Sequence, residues 1–143
     1  MIFSQGGIAG GWMLYVKDGK PTYLYNFFGL QQSVITSTQS LAGGKHQVRM
    51  EFAYDGDGLG KGGNVSLYID GSAVGSGRVE QTEPMAFSAD ETSDVGVKRG
   101  SPMTPDMPGA FNGTVVVVVI ETGESTDHLL DRDQVLNMIM ARQ

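Results

Sequence analysis

Apolar and polar residues alternate along most of this chain, and the alternation is clearest over residues 48–71. Val48, Met50, Phe52 and Tyr54 are interleaved with Gln47, Arg49, Glu51 and Ala53, and Val65, Leu67 and Ile69 with Asn64, Ser66, Tyr68 and Asp70. A strand turns successive side chains to opposite faces, so each segment predicts a strand that lays one apolar row on a core. A long glycine-rich loop joins the two. Asp70-Gly71 predicts a tight hairpin turn into a third strand over residues 73–80. Gly75 and Gly77 predict a bulge or a sheet edge in that third strand.

The rest of the chain divides in the same way. Residues 2–5 predict a short strand. Residues 12–17 put Trp12, Leu14 and Val16 on one face and Met13, Tyr15 and Lys17 on the other. Asp18-Gly19 signals a hairpin. The return strand over 22–28 sets Tyr23, Tyr25 and Phe27 against Leu24, Asn26 and Phe28, and Gly29 ends it. Residues 32–37 add a strand, and residues 86–88 and 94–97 two short ones. A loop with Pro102, Pro105 and Pro108 follows. The strongest strand expected is 112–121: its five valines and an isoleucine run without alternation, so both faces should be covered. The end changes character. Asp131 can cap a helix, Gln134 can reach back, and Val135, Leu136, Met138, Ile139 and Met140 form a stripe at helical spacing. The expected organisation is one all-β domain over residues 1–124, a two-sheet antiparallel β-sandwich or a barrel, and a helical tail over 125–143. That tail would dock on the domain or at a subunit contact.

Composition sharpens the picture only in part. A hydrophobic share of 40% with 18% charged residues suits a folded chain of 143 residues, and the 21 glycines, without a collagen-like period, suit many turns. The absence of cysteine rules out disulfides, thiolate metal sites and a cysteine nucleophile. A net charge of −6 without a basic cluster argues against nucleic acid and anionic membrane as partners. No apolar run nears the ~20 residues needed to span a bilayer, and residues 1–11 lack the basic and long apolar regions of a signal peptide. The localisation expected by default is cytoplasmic.

Four segments carry a family resemblance: GGWMLYVKDGKPTYLYNFFGL, AGGKHQVRMEFAYDGDGLGKGGNVSLYIDG, FSADETSDVGVKRGSPMTPDM and FNGTVVVVVIE. In this order they resemble the C-terminal domain of large bacterial arylsulfatases, over residues 6–121. The resemblance implies a concanavalin A-like, laminin-G-like jelly roll. It also implies what is missing. Sulfatase chemistry uses a Cys or Ser in a C/S-x-P-x-R motif, beside calcium, in a separate catalytic domain. Here Pro102 follows Ser101 directly and no arginine stands at the motif's fifth place. The implied function is a non-catalytic accessory module, not an enzyme, whose partner is a sulfatase catalytic domain or a second copy of the chain. Residue Met1 falls inside the family's first strand, and the tail from residue 125 has no counterpart in the resemblance.

Candidate chemistry is sparse. Asp55 and Asp57 alternate with glycine as carboxylates around calcium can, but the twelve-residue loop with its terminal glutamate is absent. Asp90, Glu91 and Asp94 form a second acidic loop, and the laminin-G-like resemblance implies that a rim calcium can sit between such loops; a turn-capping role is the plainer reading. The loop around Lys61 departs from the phosphate-binding pattern, because Gly62 follows the lysine. His46 and His128 stand apart and read as surface residues. Tyr15, Tyr23, Tyr25 and Tyr68, with Trp12, are the candidates for a sugar-stacking face, which makes a lectin-like carbohydrate-binding module the alternative function. Strand alternation instead lets most of these rings fill a core. Glu51 and Glu121 lie on expected strands and are the carboxylates a glycosidase reading would use, but nothing in the sequence brings them together.

Overall fold

The computed structural model describes residues 1–56, 58–84, 92–107 and 109–122, and these form an all-β structure of two antiparallel sheets. The first sheet has the order β4-β3-β2-β1-β8, built from β1 (Phe3–Gly7), β2 (Gly10–Lys17), β3 (Lys20–Phe27), β4 (Gln31–Thr36) and β8 (Ser93–Val95). The second has the order β5-β6-β7, from β5 (Val48–Tyr54), β6 (Gly63–Ile69) and β7 (Ser72–Val79). Among the described residues there is no helix. The expected tail helix, the strand at 86–88, His128, and the candidate ligands Asp57, Asp90 and Glu91 lie outside the described residues.

Local turns explain the neighbours. Asp18-Gly19 and Asp70-Gly71 both adopt positive φ (51° and 76°, 50° and 81°), the pair of conformations a two-residue hairpin needs. They fix Lys17 opposite Lys20 and Ile69 opposite Ser72. Gly75 and Gly77 lie in an edge strand whose ladder is irregular at Leu67/Tyr68, as the sequence suggested. Their deeper reason is packing between sheets. A Cβ on Gly77 would sit 2.5 Å from Ile35 Cγ1, and one on Gly75 would sit 3.2 Å from Thr36 O. Along this side β4 and β7 nearly touch, and Thr38 N donates to Val74 O at 2.7 Å.

The facing rows make one core. Leu14, Tyr23, Tyr25 and Ile35 from the first sheet meet Val65, Leu67, Val74 and Val79 from the second. Phe3, Trp12 and Tyr23 run side by side, with ring centroids 5.0 and 6.1 Å apart. The far face of the first sheet is covered as well: Met13, Tyr15 and Leu24 are buried with Met1 and Met103. β3 is therefore buried on both faces, whereas β5 is an edge strand, exposed at Phe52 and Ala53 and half-buried at Val48 and Met50.

The strand expected at 112–121 does not form among the described residues. It joins no ladder, and Val116, Val117, Val119 and Ile120 are 57–73% exposed. The run is apolar enough to be buried, but it lacks a neighbouring turn that would deliver it to a sheet. The chain leads into it through Gly109 and Phe111, which are held at the opposite sheet by Met1 N donating to Gly109 O and Phe111 N to Gly96 O.

Candidate functional site

The aromatic candidates are placed by strand alternation. Tyr23 and Tyr25 stand on the inner row of β3, 3% and 5% exposed, and Tyr15 on the covered far face of β2, 6% exposed. Burial pushes the Tyr15 and Tyr23 hydroxyls up, and pushes Tyr25 up to about 12, with the Glu83 charge adding to the rise and a backbone hydrogen bond from Glu83 opposing it. None of these three rings offers a face to solvent. Tyr68 is half-buried on the outer row of β6, where the Arg49 guanidinium covers it at 4.1 Å from the ring centroid. The four tyrosines therefore do not converge on one surface.

The two acidic candidates among the described residues, Asp55 and Asp94, already have cationic partners. Asp55 accepts from Arg78 Nη1 at 3.2 Å and Nη2 at 2.5 Å, a two-pronged pair that holds its carboxyl below the usual range. Asp94 is 7% exposed, and its Oδ2 accepts from Thr92 Oγ1 at 3.1 Å, Arg99 N at 3.1 Å and Lys98 Nζ at 3.3 Å. Burial alone would raise Asp94, and those hydrogen bonds outweigh it, so its carboxyl lies below the ordinary value. Asp94 thus pins the turn after β8, the plainer role given to it by the sequence. Among the described residues no group of three or more His, Asp or Glu converges as metal ligands would. Glu51 pairs with Arg49 at 2.5 Å on the outside of β5, and Glu121 lies exposed beyond the unpaired valine run. His46 Nδ1 meets Asp70 Oδ2 at 2.7 Å, and Asp70 Oδ1 accepts from Gln47 N. That contact ties the start of β5 to the β6–β7 turn; the hydrogen bond to Asp70 raises the imidazole, and the one from His46 lowers the carboxyl.

One feature was not singled out by the sequence. Asn26, 1% exposed, donates from Nδ2 to Gly7 O at 3.0 Å and Ile8 O at 3.1 Å, and its Oδ1 accepts from Gly29 N. It ties the β1–β2 turn to the β3–β4 turn at one end of the first sheet. Glu83 closes over the same end: its Oε1 accepts from Phe28 N at 2.8 Å, and its N donates to the Tyr25 hydroxyl at 2.8 Å. A Cβ on Gly10 would overlap the Glu83 carboxylate, and Gly10 has φ +149°, so the position suits only glycine. Glu83 Oε2 is buried and meets no hydrogen-bond partner among the described residues, and burial raises this acid above the usual glutamate value. Around it Ile8, Phe28 and Leu30 are 46–84% exposed. Gly10 and Glu83 lie about half the chain apart in sequence, and no local pattern signals the pair.

A half-open cavity of about 370 Å³ lies beside the β2–β3 turn, between Met1, Val16, Asp18 and Phe111. Asp18 and Asn112 supply its polar side chains, and no nucleophile–base pair faces it. No helix among the described residues is long and apolar enough to cross a membrane. Comparison with protein-family models, with curated proteins and with solved structures finds no significant match.

Proposed function

We propose that this chain is a non-catalytic β-sandwich module of the kind found as the C-terminal domain of bacterial arylsulfatases, a jelly roll of concanavalin A-like type. Its work is structural: it covers a catalytic domain or assembles with itself. The observation that carries the reading is where the chemistry-bearing side chains go. Tyr15, Tyr23 and Tyr25 fill the interior, and Asp55 and Asp94 are spent on Arg78 and Lys98. The four sequence segments quoted above give the reading its family. Calcium has no place in it as far as Asp55 and Asp94 are concerned, since each already meets a cation.

Two assays test it. Purified protein incubated with an aryl sulfate and calcium should show no turnover above buffer, and sustained turnover would refute the reading. Titration into a sulfatase catalytic domain stripped of its own C-terminal domain should give saturable binding in a calorimeter; no heat at any ratio would remove the covering role.

A carbohydrate-binding reading has to run through Phe28 instead of the tyrosines, because Phe28 is the exposed ring beside a carboxylate. A glycan array probed with the protein and with Phe28→Ala decides it: a glycan bound by the first and lost by the second supports it, and a blank array ends it.

A further inference from the structure

Two vacancies on this chain match each other. One is a strand without a sheet. Residues 114–120, TVVVVVI, have the β-branched composition of a strand, carry no charge, proline or glycine, and join no ladder. Val116, Val117, Val119 and Ile120 stand 57–73% exposed and Val115 and Val118 are half-buried, so most of the segment's apolar surface is uncovered. The other is a sheet edge without a strand. The second sheet has three strands to the first sheet's five, and β5 has β6 on one side and no neighbour on the other among the described residues. Its inward row is unfinished there: Val48, Met50 and Tyr54 are only half-buried and Phe52 is 36% exposed.

We propose that residues 114–120 of one copy add to the free edge of β5 in a second copy, each chain giving its strand to the other in a closed two-fold dimer. The lengths agree, since β5 runs over seven residues, Val48–Tyr54, and the donor segment is equally long. Backbone N–H and C=O groups left open on an edge are the recognition surface in strand addition, and alternate side chains fill the flank of the core. Any register works, because valine or isoleucine falls on the inner row either way. Charge does not oppose the pairing: the donor is neutral, and the outward Arg49 and Glu51 on β5 neutralise each other. A specific interface buries about 1,200–2,000 Å² in total. Two seven-residue strands with most of their apolar surface uncovered, together with the two edges they cover, are the area the exchange has to bury. A closed exchange also uses the apolar run of both copies, which left free would favour open-ended aggregation. The inference holds whether or not the sulfatase-type reading does.

The test uses the full chain. Light scattering behind a sizing column should give twice the chain mass at high concentration, falling to the single mass on dilution. Val117→Pro removes one backbone donor and stiffens the segment without touching a folded contact, since Val117 is 72% exposed. It should weaken the dimer by about tenfold or more, with an unchanged circular dichroism spectrum and thermal midpoint in the dilute monomer. Val116→Pro, 73% exposed, removes the donor on the other side of the strand, so in either register one of the two prolines takes away an N–H that faces β5. Amide hydrogen exchange should show β5 protected in the wild-type dimer and opened in Val117→Pro. Four results overturn the proposal: a single chain mass at every concentration, a dimer indifferent to both prolines, higher oligomers in place of a dimer, or β5 protection that persists in the dilute wild-type monomer and is lost in Val117→Pro. The last would place the strand on its own β5.

Discussion

β3 and residues 114–120 both read as strands in the sequence, and they have opposite fates. β3 is buried on both faces between β4 and β2 in the five-stranded sheet, while the valine run is largely exposed and joins no ladder among the described residues. Composition favours the valines: seven consecutive β-branched residues against a mixture with Lys20, Pro21 and Asn26. What separates the two is delivery. β3 is bracketed by Asp18-Gly19 and by Gly29, each at positive φ, so both of its neighbours arrive through tight turns. The valine run follows a proline-rich loop and needs a partner far away in sequence, whose closure entropy nothing local offsets. Hydrophobicity says that a strand wants burial; turn chemistry says where it is buried.

The comparison can be broken or sharpened by substitution. Leu24→Ala opens a hole on the covered face of β3, where Leu24 is 2% exposed, and should cost roughly 2–5 kcal/mol by denaturant unfolding. A cost under 1 kcal/mol would mean that the far face is not packed. Asn26→Ala strands the carbonyls of Gly7 and Ile8 and the N–H of Gly29, and should cost about 1–3 kcal/mol in the same assay. A smaller effect follows from Glu83, whose acid is raised by burial at this end of β3. The folded state then holds the proton more tightly than the unfolded chain. The resulting stability is full below the ordinary glutamate pKa and is lost as pH rises through the higher folded value. Glu83→Gln should therefore be at least as stable as wild type at pH 7, with wild type catching up on acidification; the opposite slope in pH-dependent melting would contradict the burial. Val117→Ser should change the unfolding free energy of the dilute monomer by no more than ~0.5 kcal/mol, as an exposed site does.

Legibility followed the same division. The seven strands β1 to β7 lie within a few residues of the places that alternation and turn residues assign them, and the inner rows of β5 and β6 carry the residues expected. The burial of Tyr15 was harder to foresee, because its cover comes from Met1 and from Met103 in the proline-rich loop, where no strand periodicity operates. Among the acidic candidates, Asp94 and Lys98 stand four apart, so their pairing was within reach of the sequence. Asp55 and Arg78 meet only because β5, β6 and β7 fold as a meander, and Glu83 and Gly10 only because the segment after β7 crosses the first sheet. Such contacts belong to the topology and not to any local spacing. The valine run misled for the converse reason: every local sign favoured a strand, and pairing depended on an edge elsewhere.

Residue-resolved amide hydrogen exchange of the dilute monomer tests this contrast most directly. The account predicts slow exchange, near the limit set by global unfolding, for the paired amides of β2 and β3, and exchange close to that of an unfolded chain for residues 114–120. Protection of residues 114–120 as strong as that of β3 in the dilute monomer would contradict it, for the valine run would then be a strand of its own chain's core.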